Sequence, residues 1–326
     1  MAETAKVLVA GASGYAGALC AVLVQRHPRL ELSATTSRSD VGTRLDALYP
    51  HHRVAMELEE LDVDRHGAEA DVAIVAYPHG AAAPTVKALR EQGGKVIDLS
   101  ADFRLDDRAT YEAWYVPHTA PELLDDAVYG LPEVHREALR GADLVANPGC
   151  FPTAAILALE PLKDVLEHVV IDAKTGVSGA GRAATPTTHF VAVDENVVPY
   201  KVGVHRHTPE IEQELGGLPV TFVPHLLPLD QGELVSCYGV VPDDVDAHER
   251  LRAAYADEPF IELVDRPPGV RDVRDTNFCR IFAHHDRRVG RLYVFAAIDN
   301  LWKGTASQAI QNLNLMCGFG ETEGLL

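Results

Sequence analysis

The sequence predicts an α/β protein in two parts: a parallel β-sheet flanked by helices, followed by an α+β part built on a mixed sheet. Three observations carry this. In the first half, short apolar runs alternate with helix-like segments, as parallel strands joined by crossover helices require. Beyond residue 150, strand-like runs follow one another with fewer helices between them. The chain has 326 residues, 47% of them hydrophobic, which exceeds the size at which a single core usually stops growing, so two domains are expected.

Residues 6–10 (KVLVA) form a first strand running into glycine, and residues 15–26 follow with helical spacing. Residues 30–36, 71–77, 95–99 and 144–146 are further strands, with a helix over 83–92. Residues 153–162 (TAAILALEPL) read as a helix opened by Pro152. Strands are expected over 169–175, 220–224, 233–241 and 291–298. A helix should begin at Thr208, a good N-cap, with Pro209 as first helical residue. The basic stretch 284–291 reads as a solvated loop, and the last helix, 305–317, has Gly318 just beyond it.

With 48 acidic and 29 basic residues, the formal net charge is −19. Such a surface repels phosphate backbones and anionic lipid headgroups, so neither nucleic acid nor membrane is an expected partner. An anionic small molecule needs only a local convergence of Arg and Lys. Five scattered cysteines without a C-x-x-C pair suit a reducing compartment. No apolar run approaches about 20 residues and no basic leader precedes the first strand, so the expected address is the cytoplasm. The paired histidines lack zinc-ligand spacing, and no metal is expected.

The turn after the first strand reads Gly11-Ala12-Ser13-Gly14-Tyr15-Ala16-Gly17 and opens a helix. Glycines there let the backbone approach a pyrophosphate, which the helix N-terminus attracts, so this is a candidate dinucleotide cradle. The second strand ends in Thr35-Thr36-Ser37-Arg38 with no acid at its tip. A hydroxyl followed by a guanidinium suits a ribose 2′-phosphate, which favours NADP over NAD, although Asp40 lies close by.

Asn147-Pro148-Gly149-Cys150 lies between a strand and a helix start, where the helix dipole stabilises a thiolate. Cys20 and Cys317 sit in helical patterns, Cys237 and Cys279 in strand-like ones, and all four read as core. A reactive thiol needs a proton partner, and His205 and His207, just before the helix at Thr208, are the candidates. Arg104, in a loop after a buried strand, either holds a phosphate or pairs with Asp98 or Asp102. The glycine-rich turn with Ser178 and Gly179 is either a linker or a place where backbone approaches the nicotinamide.

Taken together, GASGYAG, DLSADFR, NPGC, GVSGAGR, HRHTPEI and DNLWKGTASQAIQN resemble, in order and over nearly the whole chain, the N-acetyl-gamma-glutamyl-phosphate reductases. These belong with aspartate-semialdehyde dehydrogenase in one superfamily. The resemblance implies an NADP-binding Rossmann domain from residues 1–149 and 305–326, and a catalytic and oligomerisation domain from 150–304, in a homodimer or homotetramer. It implies the third step of arginine biosynthesis: NADPH-dependent reduction of N-acetyl-glutamyl 5-phosphate, through a Cys150 thioester, to the 5-semialdehyde and phosphate. On that reading His205 is the acid/base, Arg104, Asn147 and His207 meet the small acyl-phosphate substrate, and Asn300 touches the nicotinamide amide. Residues 185–200 match no pattern of the family. An aminoadipyl phosphate on a carrier protein is the nearest rival substrate, but it would favour a basic patch that this acidic chain does not show. A non-catalytic NADP-binding regulator would lose the chemical residues first, and they are present.

Overall fold

Residues 4–326 are described by a computed structural model. One unit comprises the residues up to Pro148 together with Thr305–Leu326, and the other comprises Gly149–Gly304. The first runs β1 (Ala5–Ala10), α1 (Tyr15–Arg26), β2 (Leu30–Thr36), α2 (Leu45–Leu48), β3 (Leu58–Glu59), α3 (Val63–Glu69), β4 (Val72–Val75), α4 (Ala83–Glu91), β5 (Lys95–Asp98), α5 (Arg108–Trp114), β6 (Ala127–Tyr129), α6 (Pro132–Leu139) and β7 (Leu144–Ala146). Its strands lie in the order β3-β2-β1-β4-β5-β7-β6, all pairings parallel. The chain leaves β1 for β2 on one side and resumes with β4 on the other. That reversal opens a crevice beyond the strands' carboxyl ends, where open α/β sheets take their ligands.

β1 and β4 are buried on both faces, as parallel strands between helical layers must be. On one face Leu8, Ala10, Ala73 and Val75 form a core with Val86 and Leu89 of α4 and with Phe103.

The second unit contains α7 (Cys150–Leu159), β8 (Val169–Gly176), α8 (Phe190–Val193), β9 (Val198–Pro199), α9 (Thr208–Glu214), β10 (Val220–Leu227), β11 (Glu233–Val240), α10 (Ala247–Tyr255), β12 (Ile261–Leu263), β13 (Cys279–Asp286) and β14 (Arg291–Ile298). Its sheet has the order β12-β13-β14-β11-β8-β10-β9. β8–β10 and β12–β13 are parallel and the other pairings antiparallel. α7 is apolar on all sides and buried from Phe151 onward, and it packs on β11 and β14. A helix apolar all round can only be an interior one. The final helix, α11 (Ser307–Cys317), lies against α1 and α6 in the first unit and closes on Gly318 with φ 70°. Among the described residues no helix is long and apolar enough to cross a membrane.

Three local expectations change. α7 begins at Cys150, not at Pro152. A proline in the first turn forfeits no intrahelical hydrogen bond, so it does not mark the first residue. β10 runs through Pro224 to Leu227, because its parallel ladder with β8 continues in register to Gly176. His284 and His285 lie in β13, opposite Tyr293 and Leu292 of β14, and the loop shrinks to residues 287–290.

Candidate active site

In the first unit, the chain leaves β1 into Gly11, whose φ of +88° favours glycine, and whose added Cβ would lie 2.5 Å from the Ala76 carbonyl oxygen. A Cβ on Gly17 would meet the Gly11 oxygen at 2.4 Å, so the first turn of α1 presses directly on the loop. Gly14 caps α1 without a side chain, and the first turn carries no acid, which leaves its positive end for a ligand. The Ser13 hydroxyl lies 2.9 Å from that of Ser37. Ser37 is buried and also accepts the Ser39 and Asp40 N–H groups, which turns the chain sharply after β2. Arg38 follows on the surface, its guanidinium stacked 4.0 Å above the Tyr77 ring. Tyr15 is half-exposed at the start of α1, edge-on to Tyr49, whose hydroxyl donates to the Ser13 carbonyl.

The DLSADFR segment after β5 knits the unit together. Burial raises Asp98 to about 7, while hydrogen bonds from the Ser100 hydroxyl and N–H pull it back. Asp102 accepts the N–H groups of Gly80, Ala82 and Ala83 and the Tyr111 hydroxyl, and so caps α4. Arg104 is 4% exposed, and its Nε and Nη2 donate to the carbonyls of Asn147 and Leu99. Asn147 is fully buried; its Nδ2 donates to the Thr305 carbonyl and its Oδ1 accepts from Asn312. Both side chains are held in place by the chain itself.

In the second unit, Cys150 is the first residue of α7 and only partly buried. The Gly149 N–H is satisfied by Glu210 of α9, a buried acid, at 2.9 Å. Burial raises Cys20 to about 12 and Cys317 to about 11, and it pushes Cys237 up as well, so these thiols stay protonated and inert. Beside Cys150, at the head of β11, is Glu233, with 0% exposure. Burial raises it to about 8, opposed by Cys150 and Thr175, yet neither carboxyl oxygen makes a hydrogen bond of good geometry among the described residues. The hydroxyl of Thr175, its cross-strand neighbour, is likewise unpaired. Buried polar groups left unpaired cost about 1–3 kcal/mol each.

His205 packs against Phe151, the residue after Cys150, with ring centroids 5.9 Å apart, and against Tyr200, Phe222 and His207. Burial, followed by the charges of Lys201 and Arg206, lowers it to about 4. The His207 N–H donates to His205 Nδ1 at 3.2 Å, so the neutral ring carries its proton on Nε2. His207 itself caps α9 through its backbone, with its ring edge-on to Phe151. Asn300 donates from Nδ2 to the Ser178 hydroxyl and accepts the Gly232 N–H, which ties the Ser178-Gly179 turn to the turn before β11. Residues 185–200 fold into α8 and the edge strand β9, and expose Phe190 and Val191.

Sequence reasoning missed Glu210, Glu233 and Thr175 as site residues. Glu210 was hidden as an ordinary first-turn acid. Glu233 reads only as the first residue of a strand, next to the polar Asp-Gln-Gly stretch. Only the pairing of β11 with β8 and β14 carries it inward.

Two family descriptions match the chain: semialdehyde dehydrogenase, NAD binding domain, over residues 6–142, and semialdehyde dehydrogenase, dimerisation domain, over residues 150–300. A protein named N-acetyl-gamma-glutamyl-phosphate reductase from Desulforudis audaxviator (strain MP104C) is 49% identical, covering 98% of each chain. One of the same name from Moorella thermoacetica (strain ATCC 39073 / JCM 9320) is 48% identical over 98% of this chain and 97% of its own. Among solved structures, aspartate semialdehyde dehydrogenase II from Vibrio cholerae, complexed with ASA, matches with a TM-score of 0.76 at 19% identity, over 97% of this chain and 99% of that one. Aspartate semialdehyde dehydrogenase with NADP from Candida albicans matches at 0.73 and 15%, over 96% and 98%. At such identities the structural likeness is one of fold.

Proposed function

The chain belongs to the N-acetyl-gamma-glutamyl-phosphate reductase family, and from that membership we infer that it reduces N-acetyl-L-glutamyl 5-phosphate to the 5-semialdehyde and phosphate, with Cys150 as nucleophile. The observation that carries this reading is Cys150 itself, a partly exposed thiol on the first residue of an interior helix with no side-chain cap. The cofactor is a nicotinamide dinucleotide, and it supplies a hydride when bound. The cradle of Gly11, Ser13, Gly14, Tyr15 and Gly17 suits a pyrophosphate, since Gly11 and Gly17 allow β1, the loop and α1 to pack without side chains and the start of α1 carries neither a side-chain cap nor an acid. Ser37 and Arg38 suit a 2′-phosphate, so NADPH is the donor we propose.

At the thiol, the start of α7 favours the anion, which attacks the acyl carbon and expels phosphate to leave a thioester. Backbone N–H groups at such a helix start stabilise the oxyanion by about 3 kcal/mol per well-placed donor. Neutral His205 presents Nε2–H as a donor for the departing phosphate. Lys201 and Arg206, whose charges act on His205, give this acidic chain a local positive field for an anionic substrate. Arg104, Asn147 and Asn300 serve, on this reading, as positioning residues. For assembly we propose a homodimer through the sheet face where Tyr238, Tyr293, Phe282 and Phe295 meet edge-on or tilted.

The test is the reverse reaction, followed as NADPH absorbance with N-acetyl-glutamate 5-semialdehyde, NADP and inorganic phosphate. Phosphate-dependent signal with this aldehyde, and none with aspartate semialdehyde, is expected. Cys150→Ala should lose at least about 1,000-fold in turnover while still binding NADP by fluorescence titration. Retained turnover would remove the covalent mechanism.

A further inference from the structure

Glu233 poses a chemical question. It opens β11, is wholly buried, and has the Cys150 and Thr175 side chains beside it, neither meeting a carboxyl oxygen in good hydrogen-bond geometry among the described residues. The turn before it is fixed, because Gly232 N–H is held at 2.7 Å by Asn300 Oδ1. No cation acts on the carboxyl, so it is not half of an ion pair. The titratable groups facing it are Cys150 from α7, Asp299 from the end of β14 and Tyr200 from beyond β9, with the Thr175 hydroxyl opposite on β8. His205, meanwhile, has Nδ1 occupied and its proton on Nε2, so it offers the thiol a donor rather than an acceptor.

We propose that Glu233 is the proton partner of Cys150. In its ionised form it takes the thiol proton as sulfur attacks the acyl carbon, and it returns that proton when the aldehyde leaves. The proposal rests on Cys150 being the nucleophile. In the first step the S–H bond breaks and its proton passes to a Glu233 oxygen. The C–S bond forms, and the C–O bond to phosphate breaks with its electron pair going to the phosphate. After the acyl carbon has been reduced, the C–S bond breaks, its electron pair returns to sulfur, and Glu233 gives the proton back. The pair ends as it began, holding the same proton.

One proton shared between two groups titrates as a pair, with macroscopic steps belonging to neither alone. Alkylation of Cys150 by iodoacetamide, mapped by peptide mass spectrometry across pH, reads this without any turnover. Wild-type protein should show two steps in rate, which belong to the pair. Glu233→Gln keeps the shape but holds no exchangeable acid, and should show one step. Its kcat in the reverse assay should fall about 100-fold or more, with the KM for the aldehyde nearly unchanged, and Glu233→Asp should recover part of the loss. Superimposed alkylation profiles would overturn the proposal even if E233Q lost turnover, because the acid would then act elsewhere. If E233Q does not fold, the comparison rests on E233D: a displaced first step supports the pairing, and an unmoved one overturns it. The inactive C150A enzyme tests the nucleophile separately.

Discussion

Cys20 and Cys150 carry the same group and differ in their surroundings. The first is sealed inside α1 and pushed up to about 12; the second stands at a helix start beside an acid. That contrast was legible in the sequence, because Pro148 and Gly149 announce a turn and an apolar run announces the helix. Arg38 is the residue proposed to meet the 2′-phosphate. Arg38→Ala should raise the KM for NADPH about 10-fold or more and leave that for NADH nearly unchanged, since only the former has a 2′-phosphate to lose; steady-state kinetics with both donors decide it. Two buried groups make stability depend on pH in opposite directions. His205, lowered to about 4, resists protonation that the unfolded chain accepts, so its contribution is present above about 6.5 and lost as pH falls toward 4. Glu233, raised to about 8, contributes fully below 4.5 and loses that contribution as pH rises through 8. Thermal melts of Glu233→Gln against wild type should therefore show a difference that grows in the variant's favour from pH 5 to pH 9. A difference independent of pH would mean the carboxyl is not buried as a neutral acid.

Elements were read where their period was clean and missed where a special residue hid it. The alternation of the first half gave the parallel sheet, and α11 announced itself by spacing and its closing glycine. β13 reads as strand-like only around Cys279; its last residues, His284 and His285, read as loop because they are polar and precede Arg287 and Arg288, and only the partner strand β14 makes them strand. In the DLSADFR segment, Asp102 caps α4, which has no side-chain cap of its own. Asp102→Ala should then cost about 2–4 kcal/mol, a lost cap plus stranded donors. Urea denaturation followed by circular dichroism measures this, and a loss below about 0.5 kcal/mol, the scale of a surface change, would show that the cap is decorative.

For the whole molecule, a charge of −19 keeps copies apart unless an apolar face draws them together. In the homodimer proposed above, the aromatic cluster on β11, β13 and β14 is that face. Phe295→Asp should convert the dimer to monomer in light scattering after size exclusion, while far-UV circular dichroism is unchanged; a persisting dimer would move the interface elsewhere. Against that global charge, Arg206, adjacent to His205 in the chain, and Lys201, four residues before it, both act on His205.

The ties made by Asn147 bear on how the chain is made as well as on what it does. Its amide reaches Thr305 and Asn312, and α11 leans on α1 and α6. A ribosome issues α1 early and α11 last, so the nucleotide-binding half is the first begun and the last completed. Throughout that interval the underside of α1 waits without its covering helix, while the whole of Gly149–Gly304 has already been released and is free to fold as a unit.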